Sequence, residues 1–192
     1  MLNLGHESGD ASRASPALRL ATPEDARTLA AAAARFFVDT FGSANRPDDM
    51  ASYLADEFSE ARQFAELSAP DTRLILAMDG DDHIAGYVHV RLDAPLPPEV
   101  SINTEPAAEV ARLYADRDWH GHGLGKLLMD AAIAMARTAG ADVLWLGVWE
   151  HNARAIGFYA KMGFQIVGAK DFLLGRDRQR DHVMALRLTI EG

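Results

Sequence analysis

Apolar positions recur along this chain in two rhythms. A spacing of about 3.6 residues marks one face of a helix, and a spacing of two marks a half-buried strand. Leu18 to Ala21 reads as a short strand. Thr22-Pro23-Glu24-Asp25 then reads as a helix start, with Thr22 as N-cap, Pro23 at the first helical position and acids in the first turn. The Ala-rich run to about Phe37 continues that helix. Arg46-Pro47-Asp48-Asp49 is a second start, and the helical pattern runs on through Leu67 with Leu54, Phe58, Ala61 and Ala65 on one face. Pro70-Asp71 breaks it. Two strand-like segments follow, Arg73 to Met78 and His83 to Leu92, joined by Asp79-Gly80-Asp81-Asp82 as in a β-hairpin. After a Pro-rich loop, Asp93 to Pro98, Glu109 to Ala115 alternates as a strand. Leu124, Leu127, Leu128, Ala131 and Met135 make the apolar stripe of a helix spanning Leu124 to Thr138. Asp142 to Val148 is a strand, Asn152 to Met162 a helix ended by Gly163, and Phe164 to Val167 and Val183 to Leu188 are closing strands.

This order predicts an α/β (α+β) fold, a mixed sheet of about seven strands covered by about four helices. No repeat and no internal linker interrupts it. Residues 1–16, rich in Gly, Ser, Ala and Asp, read as a flexible tail, and residues 17–192 as one domain. The N-terminus lacks a basic segment followed by an apolar run, and no stretch approaches the roughly 20 apolar residues of a membrane span. With no cysteine, disulfides and thiolate metal sites are excluded, and a cytoplasmic location is the simplest expectation. Lys and Arg number 19 against 28 Asp and Glu, a formal net charge of -9. That balance disfavours nucleic acid as a partner and favours cations, although acidic residues also serve solubility alone.

The segment with most chemical content is Trp119-His120-Gly121-His122-Gly123-Leu124-Gly125-Lys126. It lies between a strand and an amphipathic helix, where free N–H groups and the positive end of the helix dipole can hold a phosphate. Gly121, Gly123 and Gly125 would let the backbone approach an anion closely. A Walker loop would need Gly at position 120 and Ser or Thr at 127, where the chain has His120 and Leu127. A dinucleotide fingerprint starting at Gly121 would need Gly at 126, where the chain has Lys126. The glycines at 123 and 125 do match a third pattern, Arg or Gln followed by x-x-G-x-G or x-x-G-x-A, with His120 departing at the first position.

That third pattern is the pyrophosphate loop of the GNAT acetyltransferases. Downstream, Asn152-Ala153-Arg154-Ala155-Ile156-Gly157-Phe158-Tyr159-Ala160-Lys161-Met162-Gly163-Phe164 resembles the second signature of that superfamily, N-x-x-A-x-x-F-Y-x-x-x-G-F. Trp145 to Glu150, Gly168 to Gly175 and Asp181 further resemble the PaiA-type branch, which contains spermidine/spermine N-acetyltransferases. The similarity is clearest from Glu109 to Leu188. It implies the GNAT fold, with a mostly antiparallel sheet, and acetyl-CoA as co-substrate with a primary amine as acceptor, polyamine-like in this branch. A homodimer is a further possibility that it implies.

The resemblance also assigns roles. Tyr159 stands at the position of the general acid that protonates the leaving thiolate. Glu109, eleven positions before His120, stands where some members place the base. It either takes the amine proton, through ordered water or with a raised pKa, or only neutralises an ammonium or pairs with Arg112. The segment Leu113, Tyr114 and Ala115 would flank the pantetheine arm, and the backbone of Gly121, His122, Gly123, Leu124, Gly125 and Lys126 would hold the pyrophosphate. His120, Asn152, Ala155, Phe158 and Lys161 complete the expected acetyl-CoA contacts. His120 and His122 lack a matching carboxylate, so no metal site is expected. Phe36, Phe37, Phe41 and Tyr53 fall in the region that shapes the acceptor pocket in the family, and also suit the core. Alternatives to a small amine are a protein or peptide, an antibiotic, or a non-catalytic acyl-CoA-binding regulator.

Overall fold

The structure, a computed structural model, describes residues 15–80, 83–100 and 104–188. Most of the expected tail, and Asp81 and Asp82 of the expected hairpin turn, lie outside them. A short strand, β1 (Ala17–Leu20), leads through a 3-10 turn into α1 (Ala26–Phe41). The turn is fixed by Asp25, whose carboxylate accepts the Thr22 N–H at 2.7 Å and pairs with Arg19. Leu29, Ala33, Phe36 and Phe37 form the buried stripe of α1.

One long helix was expected from Arg46 to Leu67, but the chain forms two, α2 (Pro47–Glu57) and α3 (Glu60–Ser68). Phe58 turns inward, its ring 5.4 Å from that of Phe37, and Ser59 restarts the helix by accepting the Arg62 N–H on its hydroxyl. The expected stripe is corrected at the same place. Ala61 and Ala65 are exposed, and α3 buries Gln63 and Glu66 instead. Gln63 donates to the Glu57 carbonyl at 2.9 Å, and Glu66 accepts from Arg112 at 2.6 Å, while Gln63 Oε1 is left without a hydrogen-bond partner among the described residues.

The remaining elements are β2 (Thr72–Met78), β3 (Ile84–Arg91), β4 (Ala107–Ala115), α4 (Leu124–Thr138), β5 (Val143–Trp149), α5 (Ala153–Lys161), β6 (Gln165–Leu174) and β7 (Asp177–Arg187). The seven strands form one sheet in the order β1-β2-β3-β4-β5-β7-β6. Every pairing is antiparallel except β4 with β5. β6 and β7 are much longer than the expected Phe164–Val167 and Val183–Leu188. The extra length of β7, Asp177 to His182, is polar, and that of β6, Gly168 to Leu174, holds Ala169, Phe172, Leu173 and Leu174 without apolar alternation to betray it. Gly175 turns the hairpin at φ +60, packed against Asp49 of α2, whose Oδ1 accepts the Arg176 N–H at 3.0 Å.

The two faces of the sheet carry separate cores. On one face α4 and α5 pack Leu124, Leu128, Met129 and Tyr159 against Val88, Val110, Leu144 and Leu146. On the other, α1 and α2 bring Leu29, Phe36, Phe37 and Met50 over Leu74, Leu76 and Tyr87. Each fully buried Leu or Phe contributes about 1.5–3 kcal/mol through the hydrophobic effect.

Candidate active site

The site begins with a defect in the sheet. β4 and β5 pair only over Ala107–Glu109 and Val143–Trp145, then part. On the other edge of β4, His89 pairs with Arg112 but Val90 pairs with Val110, so Ala111 is left as a bulge. A bulge bends its strand, and here it carries the end of β4 away from β5. The gap opens a cavity of about 670 Å³, well within the size of a small-molecule site.

One end of that cavity is the glycine loop. Gly121 and Gly123 hold φ of +82 and +81, and Gly123 is the N-cap of α4. The first helical bond is donated by Leu127 to the Gly123 carbonyl, so the N–H groups of Leu124, Gly125 and Lys126 precede it and point out of the helix end. A Cβ at Gly121 or Gly123 would meet nothing within 4 Å, so the space above the loop is open. An N-terminus of this kind fits a diphosphate by both its donors and its dipole.

His120, Gly121, Gly123, Leu124, Gly125 and Lys126 all line the cavity. His122 does not. Its N–H is donated to the Trp119 carbonyl, and its ring stands edge-on to Trp119. The His120 ring links two walls: Nδ1 lies 3.0 Å from Arg154 Nη1 and Nε2 lies 3.2 Å from the Ala115 carbonyl. A guanidinium only donates, so this arrangement fits the neutral ring with Nε2 protonated. Burial and then the neighbouring Arg154 hold its pKa below the ordinary value. Arg154 thus places a guanidinium beside position 120.

Leu113, Tyr114 and Ala115 form the adjoining strand wall. The Tyr114 ring turns to the opposite face, stacked on Phe36 at 6.4 Å, so β4 presents mainly backbone here. Across from it, α5 contributes Asn152, Ala155, Phe158, Tyr159 and Lys161. Asn152 caps that helix, its Oδ1 accepting the Ala155 N–H at 3.1 Å. Tyr159 is buried, and burial pushes its hydroxyl up to about 12. Among the described residues that hydroxyl has no hydrogen-bond partner.

Glu109 lies on the cavity floor, 7% exposed. Arg91 donates to its Oε2 at 3.0 Å, and Lys170 of β6 is 3.9 Å from its Oε1. It does not pair with Arg112, as one expectation had it. Arg112 is engaged by Glu66 at 2.6 Å and Glu57 at 3.1 Å. Beyond Glu109 the cavity widens among Phe37, Phe41, Tyr53, Phe58, Trp149 and Phe172, while Phe36 stays in the core.

Three polar residues of this region, Lys170, Gln179 and Asp181, were given no role by sequence. They lie on β6 and β7, and the β5–β7–β6 order that brings them here is invisible in local periodicity. Among the described residues, no cluster of His, Cys, Asp and Glu could hold a metal ion. Nor, among them, is any helix long and apolar enough to cross a membrane.

A loop that fits a diphosphate, a strand gap and a buried tyrosine thus share one cavity. The family model for the GNAT acetyltransferases matches residues 32–164, which spans all three. The chain belongs to the GNAT acetyltransferase family. It is an N-acetyltransferase, an acyltransferase whose co-substrate is acetyl-CoA. An uncharacterized N-acetyltransferase of Lactobacillus delbrueckii subsp. lactis is 38% identical over 149 residues, 77% of this chain and 83% of that protein. Another, of Mycobacterium tuberculosis, is 38% identical over 165 residues, 85% of this chain and 98% of its own length. Among solved structures, the PaiA N-acetyltransferase of Thermoplasma acidophilum, crystallised with coenzyme A, superposes with a TM-score of 0.70. It is 21% identical, with 89% of this chain and 98% of that one covered, and so it shows a shared fold.

Proposed function

We propose that this GNAT enzyme acetylates the primary amine of a small, cationic, polyamine-like acceptor by direct attack in a ternary complex. The observation that carries the reading is the shared cavity. Tyr159, the helix end at Gly123 and a carboxylate-bearing floor all face one space large enough for a pantetheine arm and an acceptor. In this reading the backbone N–H groups from Gly121 to Lys126 hold the pyrophosphate, although that of His122 is already spent. Asn152 Nδ2, Arg154 and Lys161 supply further polar contacts to the coenzyme. The wall at Leu113, Tyr114 and Ala115 pairs with pantetheine amides, since β4 has lost its β5 partner there.

An alkylamine with a pKa of about 10.4 reaches the site mostly protonated. Glu109, fixed by Arg91, supplies negative charge opposite that ammonium. Once deprotonated, the amine attacks the thioester carbonyl. The departing thiolate then takes the Tyr159 proton. A tyrosine at about 12 stays protonated throughout the neutral range. The same desolvation raises the basicity of the thiolate, which favours the transfer.

Polyamine preference draws support from the net charge of -9 and the aromatic acceptor end, where an alkylammonium can lie over a ring. The test is a panel of polyamines, monoamines, amino acids, peptides and aminoglycosides with acetyl-CoA, read by thiol release and product mass. Turnover highest on polyamines is expected. Turnover confined to peptides or aminoglycosides would overturn the acceptor assignment.

A further inference from the structure

The wide end of the cavity holds a second carboxyl, Asp181. It lies on β7, paired in register with Trp149 of β5 and Lys170 of β6. It is 8% exposed and lines the cavity. The room around it comes from Gly147 of β5. A Cβ at Gly147 would stand 3.2 Å from Asp181 Oδ2, 3.2 Å from Lys170 Nζ and 2.7 Å from Lys170 Cε. The missing side chain lets an acid and an ammonium from two other strands come together on the cavity floor.

Glu109 is placed differently. Its Oε2 already accepts a guanidinium proton from Arg91. Such a carboxylate is already engaged in neutralising a permanent cation. Among the described residues, no hydrogen bond occupies the Asp181 carboxyl.

Resting on the acetyl-transfer reading above, we propose that Asp181, rather than Glu109, takes the proton from the acceptor ammonium. The charged and titratable groups around it are Lys170 from β6, His182 beside it on β7, Glu150 at the end of β5 and Tyr53 from α2. Burial pushes its carboxyl up to about 6, with Lys170 and His182 opposing and Glu150 reinforcing. Such a group is ionised at neutral pH and is a stronger base than an ordinary carboxylate at about 3.9. In the step, one ammonium proton passes to the Asp181 carboxylate and later to solvent. The freed lone pair forms the N–C bond, and the C–S bond breaks as the sulfur takes the Tyr159 proton. The second nitrogen proton restores Tyr159, so one proton is released overall.

The test is the pH dependence of kcat/KM on an amine that the wild type acetylates, with acetyl-CoA affinity measured in parallel. The wild type should lose activity below about pH 6 and hold a plateau above it. Asp181→Asn should bind acetyl-CoA normally, fall ~10²–10⁴-fold near pH 7 and climb about tenfold per pH unit toward the pKa of the amine. Asp181→Glu should restore part of the plateau. Glu109→Gln should lower the rate but keep the acid limb. An Asp181→Asn enzyme within ~3-fold of wild type with its acid limb intact, or a Glu109→Gln enzyme that loses the limb, overturns the proposal alone. A wild type that acetylates no amine overturns the acetyl-transfer reading and this proposal with it. Should Asp181→Asn fail to bind acetyl-CoA, carboxyl 13C NMR of the wild type decides. A midpoint near 6 that responds to acceptor supports the assignment, and one at about 3.9 overturns it.

Discussion

At Tyr159 the proposed function assigns the proton donation to a single buried hydroxyl. Its ring packs with Phe158 and Phe164, at 5.3 and 6.0 Å between centroids, which locks the orientation of α5 against the sheet. Removing only the oxygen should therefore leave the fold intact. Tyr159→Phe is expected to lower kcat ~10²–10⁴-fold while the KM for acetyl-CoA stays within ~3-fold, measured by steady-state kinetics. Gly123 makes a different demand. Its φ of +81 is a conformation that costs other residues about 1–2 kcal/mol, while a Cβ there would touch nothing. Gly123→Ala should weaken acetyl-CoA binding about tenfold through the backbone of the loop and leave kcat nearly unchanged, as calorimetry and kinetics can separate.

Among the elements, those with a strong apolar period were legible from sequence, and those held by tertiary pairing were not. The bounds of the helix Leu124–Thr138 were read to the residue, but its expected stripe was off by part of a turn: Leu127 is exposed, and Met129, Ala132 and Ala136 are buried with Leu124 and Leu128. The break between α2 and α3 was missed because helical spacing continues across it. What divides them is the turn of Phe58 into the core and the capping of α3 by Ser59, which periodicity does not weigh. Ser59→Ala should accordingly cost about 1 kcal/mol of stability in urea unfolding, with acetyl-CoA affinity unchanged. The site divides the same way. The loop and the Tyr159 helix were readable because each is a contiguous motif. Lys170 and Asp181 were not given roles, because they reach the cavity only through the β5–β7–β6 pairing and the missing side chain at Gly147. Glu109 was singled out by its spacing in the family resemblance and lines the cavity, but its partner was not foreseen. Arg91 sits across a bulge that shifts the register of β3 on β4.

For the whole molecule, the cavity is a consequence of topology. A parallel pair, β4 with β5, is set into an otherwise antiparallel sheet and separates after three residue pairs. In the proposed function the coenzyme lies at a helix N-terminus and the acceptor among carboxyls, inside a chain of net charge -9. A polycation should therefore be drawn in by a field that salt screens. The KM for a polyamine is expected to rise several-fold between ~50 and ~500 mM salt, while that of an uncharged amine such as hydroxylamine stays nearly constant. The most direct test of the account is product mass spectrometry on a polyamine incubated with acetyl-CoA and either wild-type enzyme or Tyr159→Phe. The account predicts a monoacetylated polyamine formed by the wild type, with formation reduced at least ~10²-fold in the variant. Equal product from both, or acetyl-CoA bound by the wild type with no acetylated polyamine at all, would contradict it.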